Sequence, residues 1–224
     1  LVGFRFPELM PVTLWAPCSN LSVRRAALAA VDGFDEAHFA YAGEDVDLGL
    51  RLAAHTGQRL TCARDAVVHH APAPFARGVL RRAWGWGQGE AVLLAQHPQH
   101  RIVSPPPTVF YWLVALLLAV CQLALHGRWG GLLAWVGVFV VGGPLLEARL
   151  GGRTWPVVLY GRLLQGVFQL GTIKRLLPLR RLDLVAARMT YGEGQLRYEW
   201  NGLVQPMWEF LSAIGLALLV GGRL

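Results

Sequence analysis

Three carboxylates fall within four residues in the stretch FAYAGEDVDLGLRLAAHTG, residues 39–57: Glu44, Asp45 and Asp47. A carboxylate within hydrogen-bond reach of a hydroxyl can take its proton as the oxygen attacks, so each is a candidate general base. A first helical turn also favours carboxylates without any chemistry, because its amide groups lack intrahelical partners and the helix dipole is positive there. Helix geometry separates the three. Asp45 and Asp47 point about 200° apart on a helix, so they cannot share one task. Asp47 is expected to be solvated, to cap the helix, or to pair with Arg51 four residues on. Glu44 and Asp45 lie at the helix mouth, where a loop meets it and a ligand could approach. The residues alone leave both readings of that pair open.

The elements that must position these side chains follow from pattern. Val46, Leu50 and Ala53 or Ala54 recur at helical spacing, and Gly57 is placed to end the helix in a left-handed cap. Upstream, PVTLWAPCSN (11–20) reads as a buried strand entering a loop, and LSVRRAALAAV as a helix with Ser22 as N-cap, broken by DGFDE at 32–36. Downstream, RLTCARDAVVHH (59–70) reads as a strand, a turn near Arg64 and Asp65, and a second short strand ending on His69 and His70. Residues 75–98 read as a helix interrupted or kinked around Gly85, Gly87 and Gly89, each costing roughly 1 kcal/mol relative to Ala. SPPP at 104–107 is a stiff linker and marks a domain boundary.

Apolar residues make up 54% of the 224-residue chain and charged ones 16%, but they are unevenly spread. Residues 108–126 and 129–146 are almost uncharged, are joined by Gly127 and Arg128, and suit a transmembrane helical hairpin across a hydrocarbon core of about 30 Å, with Tyr111 and Trp112 at one interface. Residues 203–222 are a weaker third span because they contain Pro206 and Glu209. Residues 172–189 alternate apolar and basic residues, as a surface-lying amphipathic helix does; a basic face on an ordinary soluble helix is the alternative. From Glu147 to Asn201, nine Arg or Lys stand against four acids, the excess that cytoplasmic loops of membrane proteins carry. The net charge of +7 accompanies no recognisable nucleic-acid-binding module, so nucleic acid is not an expected partner. Cys18, Cys62 and Cys121 are odd in number and widely spaced, which implies neither a disulfide framework nor a zinc knuckle and fits a reducing cytosol. The chain starts at Leu1 without a signal-peptide pattern and reads as beginning mid-protein.

Five motifs in order, CSNLSVRRAAL, VDGFDE, GED, GLRLAAHTGQRL and a strand ending VVHH, resemble the second half of the catalytic domain of family 2 glycosyltransferases over residues 12–97. That resemblance implies a partial GT-A-type, Rossmann-like α/β fold and inverting transfer from a nucleotide-sugar donor to an acceptor hydroxyl. It implies Asp45 as general base with Glu44 beside it in the acceptor site. Asn20 and Arg24 match positions that contact donor sugar or acceptor, although Arg24 or Arg25 also suits a solvated helix face. Arg77, Arg81 and Arg82, with Trp84 and Trp86, match the basic and aromatic element that closes over diphosphate or acceptor; a basic helix on anionic lipid is the alternative. His69 or His70 matches a histidine that helps hold a divalent metal, Mg²⁺ or Mn²⁺, on the diphosphate; polar strand-end residues are the alternative. No Asp-x-Asp motif precedes Asp45, and the nucleotide-binding half is not in the sequence, so the chain reads as the C-terminal part of such an enzyme.

The expected organisation is the C-terminal half of a GT-A domain over 1–104, a transmembrane hairpin over 105–146, a basic cytoplasmic or interfacial segment over 147–202, and a third transmembrane helix over 203–224. The catalytic domain is expected on the cytoplasmic side of the cell membrane, against membrane lipid, acting on a glycan or lipid-linked acceptor in cell-envelope glycan or glycolipid synthesis. The competing readings are an inactive fragment or accessory membrane protein, and a metal-dependent membrane hydrolase using Glu44, Asp45 and His69.

Overall fold

The computed structural model describes residues 11–63, 65–68, 77–103, 108–127, 129–152 and 154–190. Strand β1 (Val12–Thr13) pairs antiparallel with β2 (Leu60–Thr61), Val12 opposite Thr61. Between them lie a 3-10 turn at Cys18–Asn20, helix α1 (Arg25–Ala30) and helix α2 (Glu44–Thr56). Helix α3 (Arg77–Gln96) is followed by β3 (Arg101–Val103) and α4 (Thr108–His126). Then come α5 (Gly130–Trp135), a π-helical stretch Val136–Gly142 and α6 (Gly143–Leu150), which run on without a break, and α7 (Trp155–Leu176). A 3-10 turn, Leu182–Ala186, leads into β4 (Ala187–Met189), antiparallel to β3. The described residues are thus mostly helical, with strands confined to two short antiparallel pairs.

Helix α2 has the ends its sequence predicts. Gly43 enters it at φ +97, and Gly57 leaves it at φ +67 with its N–H donating to the Ala53 carbonyl. Only glycine adopts such angles without Cβ strain. Helix α1 starts later than expected: its N-cap is Arg24, with no side-chain capping bond, so Ser22 does not cap it. The expected second strand does not form over the described part, 66–68. Its backbone is committed locally instead, with Ala66 N–H donating to Ala63 O and Val67 N–H to Asp65 O, and with the Ala66 carbonyl taken by the Asn20 side chain at 2.7 Å.

The expected interruption of residues 75–98 also gives way, because α3 is one helix through Gly85, Gly87 and Gly89. These glycines are contact points. A Cβ added at Gly87 would overlap the Phe168 carbonyl of α7, one at Gly171 would overlap the Trp84 carbonyl, and one at Gly89 would overlap the Ala42 carbonyl before α2. The backbone-to-backbone approach they permit brings many atoms into dispersion contact and offsets the helix propensity they forgo.

Nor is 172–189 one amphipathic helix. Helix α7 ends at Leu176, Pro178 offers no N–H to continue it, and Arg180 turns left-handed at φ +53. The chain then returns as β4 against β3. Phe39, Val46 and Leu50 form one core with Ala91, Val92, Leu93 and Leu94 of α3 and with Leu176, Leu184 and Met189. That core draws on residues both before and after 104–107. Arg101 closes the end of α3 by donating to the Leu94 and Ala95 carbonyls, and Glu90 accepts the Met189 N–H at 3.0 Å.

Among the described residues one helix, Gly130–Arg149, is long and apolar enough to cross a membrane; the apolar stretch Trp112–His126 of α4 is shorter. The two pack together through buried Ala115 and Phe139, and Trp135 Nε1 donates to the Trp112 carbonyl at 3.1 Å. Leu113, Leu117, Leu125, Leu133 and Leu145 remain exposed on them. The expected span 203–222 lies outside the described residues.

Candidate functional site

The site is built at the mouth of α2. Gly43 turns the chain into the helix, and the tight fit of Gly89 against Ala42 and Gly43 sets that turn on the flank of α3. Glu44 and Asp45 follow at once, half-buried. The loop after β1 lies across them: Cys18 offers its Sγ within 4.8 Å of a carboxylate oxygen from each. Asp45 Oδ1 accepts the Val46 N–H at 2.9 Å, as a first-turn carboxylate can.

Burial pushes the Asp45 carboxyl above its ordinary value; the Val46 amide opposes that shift and the neighbouring Glu44 charge adds to it. Burial likewise raises the Cys18 thiol, and Asp45 and Glu44 raise it further. The result is a carboxylate more basic than one in water, set beside a second carboxylate and a neutral thiol. Proton abstraction from a bound hydroxyl is the chemistry such a group can do.

Asp47 faces the opposite way, because two residues of helix turn it about 200° from Asp45. The pairing with Arg51 is present, with Nε at 2.8 Å and Nη2 at 2.7 Å, but solvation is not: Asp47 is 2% exposed. It also accepts from His97 Nε2 at 2.9 Å. Burial pushes this carboxyl up, and the hydrogen bonds and charges of His97 and Arg51 outweigh it, holding the group below its ordinary value. His97 and Cys18 were not legible as neighbours of the pair. His97 stands fifty positions from Asp47, and neither residue carries a spacing signal.

The other sequence-derived residues are spread over three elements. Asn20 tethers the segment after β2 through its bond to Ala66. Arg24 stands exposed before α1. On α3, which Arg77 opens, Arg81 and Arg82 are exposed. Trp84 is turned to α7, with Lys174 Nζ 5.3 Å above its ring, whereas Trp86 is 47% exposed. Tyr41, 69% exposed, lies over Gly85. His69 and His70 lie outside the described residues.

Among the described residues, Cys18, Glu44 and Asp45 are the group with ligand atoms close enough to share a cation. Their chemistry does not fit Mg²⁺, which demands near-octahedral oxygen ligation and has no use for a thiol. One Asp45 oxygen is moreover already occupied by the Val46 amide. No family model matches the chain, and no curated protein or solved structure matches it.

Proposed function

We propose that the chain is part of a membrane-anchored inverting family 2 glycosyltransferase with a GT-A-type catalytic domain, and that Asp45 is its general base. The observation that carries this reading is the contrast along α2. The carboxylate that the motif order singles out is the one left at an accessible mouth with raised basicity, while its neighbour Asp47 is sealed into the core.

In the proposed reaction the acceptor hydroxyl binds against Asp45, which takes its proton as the oxygen bonds to the anomeric carbon of the donor sugar. The bond from that carbon to the nucleoside diphosphate breaks on the opposite face, so configuration inverts. Glu44 orients the acceptor by accepting from a second hydroxyl. Arg81, Arg82 and exposed Trp86 on α3 supply guanidinium forks for phosphate and an apolar face for a sugar ring. The divalent cation is proposed to arrive with the donor diphosphate, and no described residue is assigned to it.

The apolar helix Gly130–Arg149 supports a membrane anchor. With the catalytic part in the cytoplasm, a hairpin returns the basic stretch after Glu147 to the same side. A glycan or lipid-linked acceptor suits this arrangement, because confining enzyme and acceptor to one surface raises their effective concentration.

The test is sugar transfer by membranes carrying the full-length gene product, across a panel of nucleotide sugars with Mg²⁺ or Mn²⁺. Wild type should transfer, and Asp45→Asn should lose about a hundredfold or more while still binding donor. An Asp45→Asn protein as active as wild type would end the assignment.

A further inference from the structure

The transfer step proposed above makes no use of the buried polar cluster on the other face of α2. His97, 7% exposed, lies just beyond α3 and donates through Nε2 to Asp47 Oδ1 at 2.9 Å. Arg51 holds the other oxygen of Asp47 and extends Nη1 to the Val31 carbonyl at the end of α1, 2.5 Å away. One carboxylate therefore ties together the end of α1, the body of α2 and the end of α3. The His97 main chain is fixed as well, its N–H bonded to the Leu93 carbonyl.

We infer that Asp47 and His97 form a positioning pair that sets the rotation of α2, and with it the place of Asp45; this rests on the glycosyl-transfer reading. Three considerations carry it. Buried ion pairs are often no better for stability than packed hydrophobes of similar volume; what apolar side chains would not supply is direction. The bonds on Asp47 act two residues from Asp45, within the same turn. A helix side chain ends some 5–6 Å from its axis, so turning α2 by about 20° would carry the Asp45 carboxylate about 2 Å. Misplacement of a reacting group by about 1 Å can cost about a hundredfold in rate.

The grip on α2 is double. Gly89 of α3 abuts Ala42 and Gly43 immediately before Glu44, and His97 beyond the end of α3 holds Asp47. The helix that presents Arg81, Arg82 and Trp86 thus fixes the proposed base relative to its own exposed face. His97 acts on the mouth through Asp47.

The experiment uses the full-length protein in membranes, with Cys62 and Cys121 replaced by Ser so that Cys18 is the thiol of this region that reports. His97→Ala, His97→Gln and Asp47→Asn are compared for acceptor and donor KM, for kcat per folded protein, and for the rate at which iodoacetamide labels Cys18. Gln places an amide nitrogen near the position of Nε2. The expected result is a kcat lowered about tenfold in His97→Ala, donor KM within about twofold, a Cys18 labelling rate changed at least about threefold, and recovery of both in His97→Gln.

An unchanged kcat per folded protein together with unchanged Cys18 labelling in His97→Ala would overturn the inference. Should His97→Ala fail to accumulate, Asp47→Asn against His97→Gln supplies the same two readouts: a shift of both in Asp47→Asn supports the pair, and no shift in either overturns it. If wild type transfers no sugar, the glycosyltransferase reading falls, and Cys18 labelling alone still decides whether the pair positions the mouth of α2.

Discussion

Asp45 and Asp47 are the same residue type two positions apart on one helix, and their surroundings make them opposites. Asp45 is half-buried at the mouth, with backbone amides of its own turn and of Cys18 as hydrogen-bond partners and another carboxylate beside it; burial outweighs those bonds and its carboxyl is pushed up. Asp47 is sealed beneath, held by Arg51 from its own helix and His97 from beyond α3, and its carboxyl is brought down. The difference teaches that the helical repeat, more than composition, divides labour among clustered carboxylates. A rotation of about 200° between positions i and i+2 sends one group to the solvent side and the other into the core. Ionised Asp45 costs folding free energy and is available for chemistry, whereas ionised Asp47 stabilises the fold.

The sharpest way to break this contrast is to remove the buried member. Asp47→Ala leaves the Arg51 guanidinium without its counter-charge and His97 Nε2 without its acceptor, and should destabilise the protein by about 3–5 kcal/mol, read as a lowered Tm or a loss of folded protein. The pH dependence has a definite sign. Because the folded-state carboxyl of Asp47 is below its ordinary 3.8, its contribution is complete above that value and is lost as pH falls through the lower folded value. Asp45 runs the other way: raised above 3.8 when folded, it costs stability as pH rises through that value. Acid-unfolding profiles of Asp47→Asn and Asp45→Asn should therefore deviate from wild type in opposite directions.

Next in size is Asp45→Asn, expected to lose transfer about a hundredfold with Tm unchanged or slightly higher. Gly89→Ala and Gly87→Ala should each destabilise by about 1–3 kcal/mol through overpacking, but with different consequences. The first pushes α3 off Ala42, and kcat per folded protein should fall; the second pushes α3 off Phe168 of α7, and kcat per folded protein should hold. Equal kinetic effects would dissolve the distinction between the two faces of α3. Smallest is Asn20→Ala, which removes one exposed hydrogen bond to Ala66 and should cost less than about 1 kcal/mol.

Local chemistry was what the sequence made legible. Gly57 ends α2 in the left-handed cap its position implied, and the Asp47–Arg51 pair follows from helical spacing; the left-handed Gly43 that enters the helix carried no such signal. Tertiary consequences were harder to read. The glycines of WGWGQGE look like helix breakers because propensity is all a sequence window contains; their purpose is visible only once Phe168, Trp84 and Ala42 stand opposite. The basic run at 172–189 has a helical pattern that Pro178 and the left-handed Arg180 override, and β4 finds its partner β3 far back along the chain. For the site, the pair at the mouth was readable, but Cys18 above it and His97 beneath it were not, since each reaches α2 from a distant segment.

The central claim is that Asp45 reacts and Asp47 holds. Sugar transfer and Tm measured side by side on full-length Asp45→Asn and Asp47→Asn test it most directly. The account predicts that Asp45→Asn keeps its Tm and loses transfer by about a hundredfold, while Asp47→Asn loses Tm and keeps more activity per folded molecule than Asp45→Asn. Full transfer by Asp45→Asn, at a rate equal to wild type, would contradict it.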